Sequence, residues 1–523
     1  MVELIKIKPF EPDLLLFSQR RNSFTETCRT ERLTDPTHGS ALFLPETSGL
    51  YSDQPSERMQ RVRATSRAIQ QLLDNSAGLA ALFLVYGLVA IGLLAITMPP
   101  YQNPDEVSHF MRAEAISEGG VIGARFPTIG GGGIIDFGIE RSAAIFEPLK
   151  FHPERKVTRA MAEKAMALQW GAEVGPRGFA NTAIYSPVSY IPAVVGIWIS
   201  KGLHLPVIRT LVISRLLMGL SGIAIATVAI ALADCGAPFL FVILTLPMSL
   251  ALMTSPSQDA MIMAFGALAA ALLISAFQKS RLTWRAFIVL CTALAIIATA
   301  RPPYAPIAVV PLLIPGRRLA GRITGVACVL GAVILWSIIA AKLTGVATPP
   351  GVEPTAQALR LLTHPAKIAP LVVDTFKFSG DLFMRGFIGQ LGWLDVDMPH
   401  FYNVIALGAL LLGTTLAALT LRGIHIAHST RLTLALAILT SAAAIFAIQY
   451  LTWTKVGAPI IDGVQGRYFL PLATLSVGLL PSSGRPAVRT PGALRLAMIP
   501  VGLFPALTII IVNHALIWRY YVS

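Results

Sequence analysis

Unbroken apolar runs of about twenty residues constrain this chain more than any other feature. Ala77 to Thr97, Ile323 to Leu343 and Leu496 to Leu516 are three of them. At helical rise, each is long enough to cross a hydrocarbon core of roughly 30 Å. Composition agrees: of 523 residues, 54% are hydrophobic and only 13% are charged, where a soluble domain carries about twice that charged fraction. The expected fold is an all-α polytopic membrane protein.

The formal net charge of +14 raises the question of anionic partners such as nucleic acid. Most Lys and Arg sit in short hydrophilic gaps between apolar runs, where the positive-inside bias places them. The basic balance therefore reads as topology, with the lipid bilayer as partner and no nucleic acid. Cys28, Cys235, Cys291 and Cys328 form no CxxC pair, so neither a disulfide framework nor a zinc site is indicated. Residues 1–76 read as a disordered cytoplasmic tail, or an over-long start, without a cleavable signal peptide.

Charge parity orders the rest. The basic stretch Arg58 to Arg67 precedes the first span, which places the N-terminus inside and Asp105 outside. Later basic gaps, at 278–285, 316–322, 422–431 and 484–495, fall inside only if Pro187 to Leu205 does not cross. Its prolines and tyrosines suit an interfacial position better than a span. About eleven transmembrane helices follow, near 77–98, 207–233, 237–253, 260–277, 286–300, 304–315, 323–345, 402–421, 432–451, 467–481 and 496–516. The membrane domain is 77–516, with external loops at about 99–206, 346–401 and 452–466 and an external C-terminal end at 517–523.

An ionisable group at bilayer depth costs roughly 2.5–3.5 kcal/mol on insertion scales, so such residues are functional candidates. The external ones form a set: Asp105 and Glu106, Asp259 in "SPSQD", Arg301 in "ARPPY", Gln390 and Asp395 in "GQLGWLD", and Gln465 with Arg467 in "VQGRYF". Asp105 and Glu106 also suit the cap and first turn of a helix "EVSHFMRAEAISE". His109 and Arg112 fall within one turn of each other on that helix. A DExxH-like string invites a metal but lacks a third ligand, so no cofactor is assigned and a divalent metal stays open. "TIGGGG" (Thr128 to Gly133) has no following Lys-Ser/Thr and reads as a flexible loop rather than a phosphate loop. Trp393, Tyr468 and Phe469 read as aromatic-belt residues before a sugar platform. External carboxylates beside external arginines suit transfer of a sugar from a lipid phosphate: a carboxylate accepts a hydroxyl proton, and arginine neutralises a phosphate leaving group. The same set suits a transporter or flippase of a lipid-linked saccharide, or a non-catalytic subunit of envelope polysaccharide assembly.

Six strings in order, "PDEVSHFMRA", "NTAIYSPVSYIP", "LPMSLALMTSPSQDA", "ATARPPYAPI", "FIGQLGWLD" and "VQGRYFLPL", resemble the bacterial membrane proteins of domain-of-unknown-function family 2142. The resemblance covers roughly residues 78–515; Val107 stands where the family often has Pro, and Arg301 where Lys is common. The family is in turn similar to the GT-C glycosyltransferases, which use polyprenyl-phosphate sugars. That resemblance implies a GT-C-like fold with a large first external loop carrying juxtamembrane helices, among them Pro187 to Leu205. It implies catalytic Asp105, with Glu106 as alternate base or partner, and Asp259 as a second acid. Substrate contacts would come from His109, Arg112, Asp259, Arg301, Gln390, Asp395, Gln465 and Arg467, the two later arginines on the carrier phosphate and the glutamines orienting the sugar. The partners implied are a polyprenyl-phosphate-linked sugar and a glycan, lipid or protein acceptor, at the external face of the inner membrane.

Overall fold

A computed structural model describes residues 75–345, 348–421, 424–481 and 491–522. The tail expected at 1–76, including Cys28 and the basic stretch at 58–67, lies outside them except for its last two residues; so does most of the basic gap at 484–495. Among the described residues, seven helices are long and apolar enough to cross a membrane.

The first, α1 (Ser76–Thr97), starts where the Asn75 side chain accepts from the Gly78 N–H at 2.6 Å, satisfying one orphan donor of the first turn. The segment after it, expected to be external, opens with α2 (Glu106–Ser117). A three-stranded antiparallel sheet follows, β1 (Ala124–Phe126), β2 (Gly130–Asp136) and β3 (Val174–Gly178), with β2 in the middle. The glycine stretch expected as a flexible loop is thus largely strand. Its glycines are a packing requirement: Gly132 pairs with Gly178, and a Cβ on Gly132 would sit 1.8 Å from the Arg177 carbonyl oxygen.

Next comes α3 (Ile191–Gly202), preceded by a 3₁₀ turn at Pro187–Tyr190. Its 12 residues rise only ~18 Å, short of a ~30 Å hydrocarbon core. Ile191, Trp198, Ile199 and Leu203 are exposed along it, the pattern of a helix with one apolar face free for lipid. Its other face packs on α4 (Val207–Ala233), which also packs against α1 and against α7 (Asp259–Lys279).

Between α4 and α7, the apolar stretch 237–253 is not one rod. It breaks into α5 (Ala237–Leu244) and α6 (Pro247–Met253), because Pro247 supplies no N–H and holds Leu246 extended. Every residue of both pieces is buried, which is where broken backbone is tolerated at membrane depth. The central helix is α7, with 94% of its most apolar window buried, against 22% for the outlying spans Leu319–Thr344, His400–Thr420 and His428–Thr452.

The shorter helix α8 (Trp284–Ala300) stops at the Arg301-Pro302-Pro303 step, and a 3₁₀ run occupies Pro302–Leu313 with Pro306 and Pro311 inside it. Three more helices matter below: α9 (Ile368–Ile388), α10 (His400–Thr420) and α11 (His428–Thr452). The stretch expected as a span at 467–481 is a chain of short pieces, 3₁₀ at Gly466–Phe469, α at Leu470–Leu475 and 3₁₀ at Ser476–Leu479. Of the eleven segments expected to cross, four (237–253, 286–300, 304–315 and 467–481) are therefore broken, short or 3₁₀; the first of these breaks after Leu244, where the Val207–Leu244 span ends. Cys235, Cys291 and Cys328 are free thiols.

Candidate functional site

Four ionic side chains meet from four distant parts of the chain, each at a point where regular helix stops. Asp105 sits just before α2 in the left-handed region, φ 58°, and its carboxylate makes no capping bond to the helix. Aspartate tolerates that backbone better than most residues, and the geometry frees the side chain from the cap. Arg467 Nη2 donates to Asp105 Oδ2 at 3.3 Å, and Asn181 Nδ2 lies at 3.5 Å from Oδ1. Asp259 is the first residue of α7 and is buried. Arg301 follows the last turn of α8, held extended (φ −139°, ψ 101°) by the proline after it. Its Nη2 lies 2.8 Å from Asp259 Oδ1 and donates to Oδ2 at 3.1 Å, while Arg467 Nη1 lies 3.9 Å from that second oxygen.

Tyr468 completes this cluster, with the Arg301 guanidinium 4.4 Å and that of Arg467 5.5 Å from its ring centroid. The Tyr304 hydroxyl donates to the Tyr468 carbonyl at 2.7 Å, tying the two proline-rich corners together. Tyr468 thus serves the arginines rather than a membrane belt. Gly466 makes the approach achievable: a Cβ there would stand 1.9 Å from the Phe383 carbonyl oxygen of α9.

Beside the cluster lies a small cavity of about 10 Å³, lined by Asn103, Ser255, Ser257, Gln390 and Arg467 among others, room for about one water. Buried polar atoms around it have no hydrogen-bond partner: Ser255 Oγ, Ser257 Oγ, Gln390 Oε1 and Arg467 Nε, with Gln258 and Gln465 Oε1 near them in sequence. Leaving such atoms unpaired costs about 1–3 kcal/mol each, so water or a polar ligand is needed here to satisfy them. A larger cavity lies elsewhere, around Glu114 and Lys201; the convergence of charge, and not cavity size, defines this site.

His109 stands on the flank of the cluster. Its Nδ1 lies 2.7 Å from the Tyr190 hydroxyl and its ring stacks on Tyr185 at 6.1 Å. Burial pushes its pKa down to about 4, with Asp259 and Asp105 only partly opposing, so the imidazole is neutral at pH 7. Burial also raises the Tyr185 phenol to about 12, which keeps it a proton donor.

Three expected site residues take other roles. Glu106 is fully buried, with Arg215 Nε on Oε1 at 2.8 Å, Arg215 Nη2 on Oε2 at 2.6 Å, and Asn103 Nδ2 on Oε1 at 2.9 Å. Both oxygens are thus committed to hydrogen bonds. Arg112 donates to the carbonyls of Gly120, Val121 and Tyr185, so it fastens a turn rather than a substrate. Asp395 accepts from Arg519 Nη2 at 2.6 Å and from the Trp393 N–H at 3.1 Å, pinning the last helix to the loop. Gln390 holds Asp397 through Nε2 and keeps its Oε1 free at the small cavity. Arg215, Tyr185, Tyr190, Asn103 and Ser257 were not singled out by sequence. Arg215 carries a signal, as a charge in the middle of an apolar run; the tyrosines lie inside a motif that was quoted whole. Among the described residues, no three His, Cys, Asp or Glu side chains converge as they would around a metal ion.

Among the described residues, seven long apolar helices, one of them central and mostly buried, with a charged cluster where helix ends meet, define a polytopic helical membrane protein. The chain belongs to the family described as "Predicted membrane protein (DUF2142)", whose profile matches residues 88–476, well over half its length. No curated protein and no solved structure matches it.

Proposed function

We propose that this chain is a GT-C-like glycosyltransferase of the bacterial inner membrane. It moves a sugar from a polyprenyl-phosphate carrier to a glycan, lipid or protein acceptor at the external face. The observation that carries the reading is the joining of Asp105 to Arg467, and of Asp259 to Arg301, in one cluster ringed by unpaired buried polar atoms.

The chemistry needs a base at an open edge and cations behind it. Asp105 is the open edge, its side chain 40% exposed, whereas those of Asp259 and Arg467 are 6% and 4% exposed. The acceptor hydroxyl gives its proton to the Asp105 carboxylate as its oxygen attacks the anomeric carbon. The bond from that carbon to the phosphate oxygen breaks, and polyprenyl phosphate leaves with the electron pair. Arg301 and Arg467 neutralise the charge that develops on the phosphate. Asp259 holds both guanidiniums in place, as a positioning residue. Neutral His109 and the tyrosines beside it line the flank without adding charge. Sugar hydroxyls suit the free oxygens of Gln390, Gln465, Ser255 and Ser257.

A flippase reading calls for acids at mid-membrane depth. A half-exposed Asp105 and an Asp259 at the first residue of its helix favour chemistry at a membrane surface instead. Incubating the purified protein with a panel of polyprenyl-phosphate sugars tests the proposal. Release of polyprenyl phosphate with glycosidic bond formation is expected; sugar-lipid movement across vesicles without bond formation overturns it.

A further inference from the structure

A cleft of about 850 Å³ lies between α2, β2 and the end of α3. Nothing in the transfer chemistry uses it. Its wall includes Glu114, five residues beyond His109 on α2, which is about 140° around the helix. The cleft and the Asp105 cluster therefore lie on different faces of one helix.

Its polar lining is Glu114, Glu118, Asp136, Gln169, Lys201 and His204. Lys201 Nζ donates to Glu114 Oε1 at 3.0 Å and to Glu118 Oε1 at 2.6 Å. Asp136 spends its oxygens on the N–H groups of Gly138 and Gly171. Each carboxylate thus has a partner for its charge, and what remains is hydrogen-bonding capacity. The least satisfied is Glu114: its side chain is 2% exposed, it lines the cleft, and beyond Lys201 on Oε1 its carboxylate has only the approach of the Asp136 backbone. A buried carboxylate held this weakly has room for a further donor from a ligand.

The rest of the lining narrows the ligand. Three acids against one lysine disfavour an anion. Lys201 and the backbone N–H groups already occupy one oxygen of Glu114, one of Glu118 and both of Asp136, which leaves few carboxylate oxygens to coordinate a cation. Ile122, Ile134, Val174 and Leu205 supply apolar wall, with Trp170 among them. A ring that is apolar on its C–H faces and rich in hydroxyl donors matches such a surface, and the volume is that of a small-molecule site.

We infer that this cleft is a second binding site, taking a neutral saccharide chain through Glu114, Glu118 and Lys201. It stands on its own observations and does not depend on the transferase reading. The test uses the full chain in phosphatidylcholine nanodiscs and isothermal titration calorimetry. The probes are neutral hexaoses (maltohexaose, cellohexaose and mannohexaose), cationic chitosan hexamer and an anionic heparin hexasaccharide.

At least one neutral hexaose is expected to bind, and more tightly than both charged probes. Ile134→Trp, from a half-exposed strand position, is expected to fill the cleft and weaken that binding at least tenfold. Glu118→Gln, at an exposed position, is expected to weaken it several-fold. Asp105→Asn is expected to leave it unchanged, which separates this site from the charged cluster. Preference for either charged probe, absence of binding by every neutral hexaose, or binding indifferent to both cleft variants overturns the assignment.

Discussion

Glu106 and Arg215, 109 positions apart, form a two-point ion pair whose side chains are 0% and 1% exposed. Arg215 further donates to the carbonyls of Met98 and Pro99, so the pair clamps the end of the first membrane helix to the third turn of α4. It fixes the backbone on which Asp105 stands. The neighbouring acids thus divide the work: Glu106 holds the corner, and Asp105 faces the site.

Breaking that pair should be a stability lesion. Removing one partner of a buried ion pair costs about 3–5 kcal/mol, while replacing both by apolar groups is far milder. Glu106→Gln and Arg215→Met should each lower the melting temperature and the monodisperse fraction in detergent. Glu106→Leu combined with Arg215→Met should recover much of the loss. If Glu106→Gln melts as the wild type does yet loses transfer, Glu106 belongs to the chemistry after all.

Low pH should destabilise the protein through His109. Its folded pKa, about 4, is below the ordinary value of 6.5, so below pH 6.5 the unfolded chain binds the proton more readily. Stability is therefore full above pH 6.5 and lost as pH falls toward 4, by up to about 3 kcal/mol for a shift of this size. Melting curves from pH 7.5 to 4.5 should show a loss in the wild type that His109→Gln reduces. Parallel curves for the two proteins would contradict the buried neutral imidazole.

The arginines should act on the transition state more than on binding. Arg301→Met or Arg467→Met should lower kcat by about 10²–10³-fold, the usual cost of losing a donor to developing charge. Lysine at either position should restore only part of it, because one ammonium does not reproduce a planar fork. A change confined to KM would place these residues in ground-state binding alone.

Gly466 should be as sensitive as a charged residue. A side chain there meets backbone of α9, at 1.9 Å from the Phe383 oxygen and 2.5 Å from the Phe387 nitrogen, so either α9 or the turn bearing Arg467 must shift. Gly466→Ala should reduce transfer at least tenfold while the protein still inserts into membranes. Unaltered transfer would show that Arg467 does not depend on this contact.

Much of the site was legible because ions are costly near lipid. Asp105, Asp259, Arg301 and Arg467 stand out as charges kept beside apolar runs, and their motifs carried the family as well. What charge placement leaves open is pairing. Arg215 announces that a partner exists, yet nothing local says it is Glu106 rather than another acid. Asp105 stands at the cap and Glu106 in the first turn, as expected, but with a left-handed φ the Asp105 side chain makes no capping bond, a backbone detail invisible in composition. The glycine stretch looks like loop for the same reason it is strand: small residues are needed where β3 comes within contact, and β3 lies some forty positions on. The break between α5 and α6 had one signal, Pro247, set within an otherwise continuous apolar run.

The most direct measurement is the rate of polyprenyl phosphate release by Asp105→Asn beside the wild type, in the same nanodiscs with the same acceptor. Asparagine keeps the shape and a hydrogen bond to Arg467 but cannot take the acceptor proton. Loss of about 10²–10⁴-fold in rate, with unchanged insertion and melting temperature, is the predicted result. Wild-type release from Asp105→Asn would contradict the account at its centre.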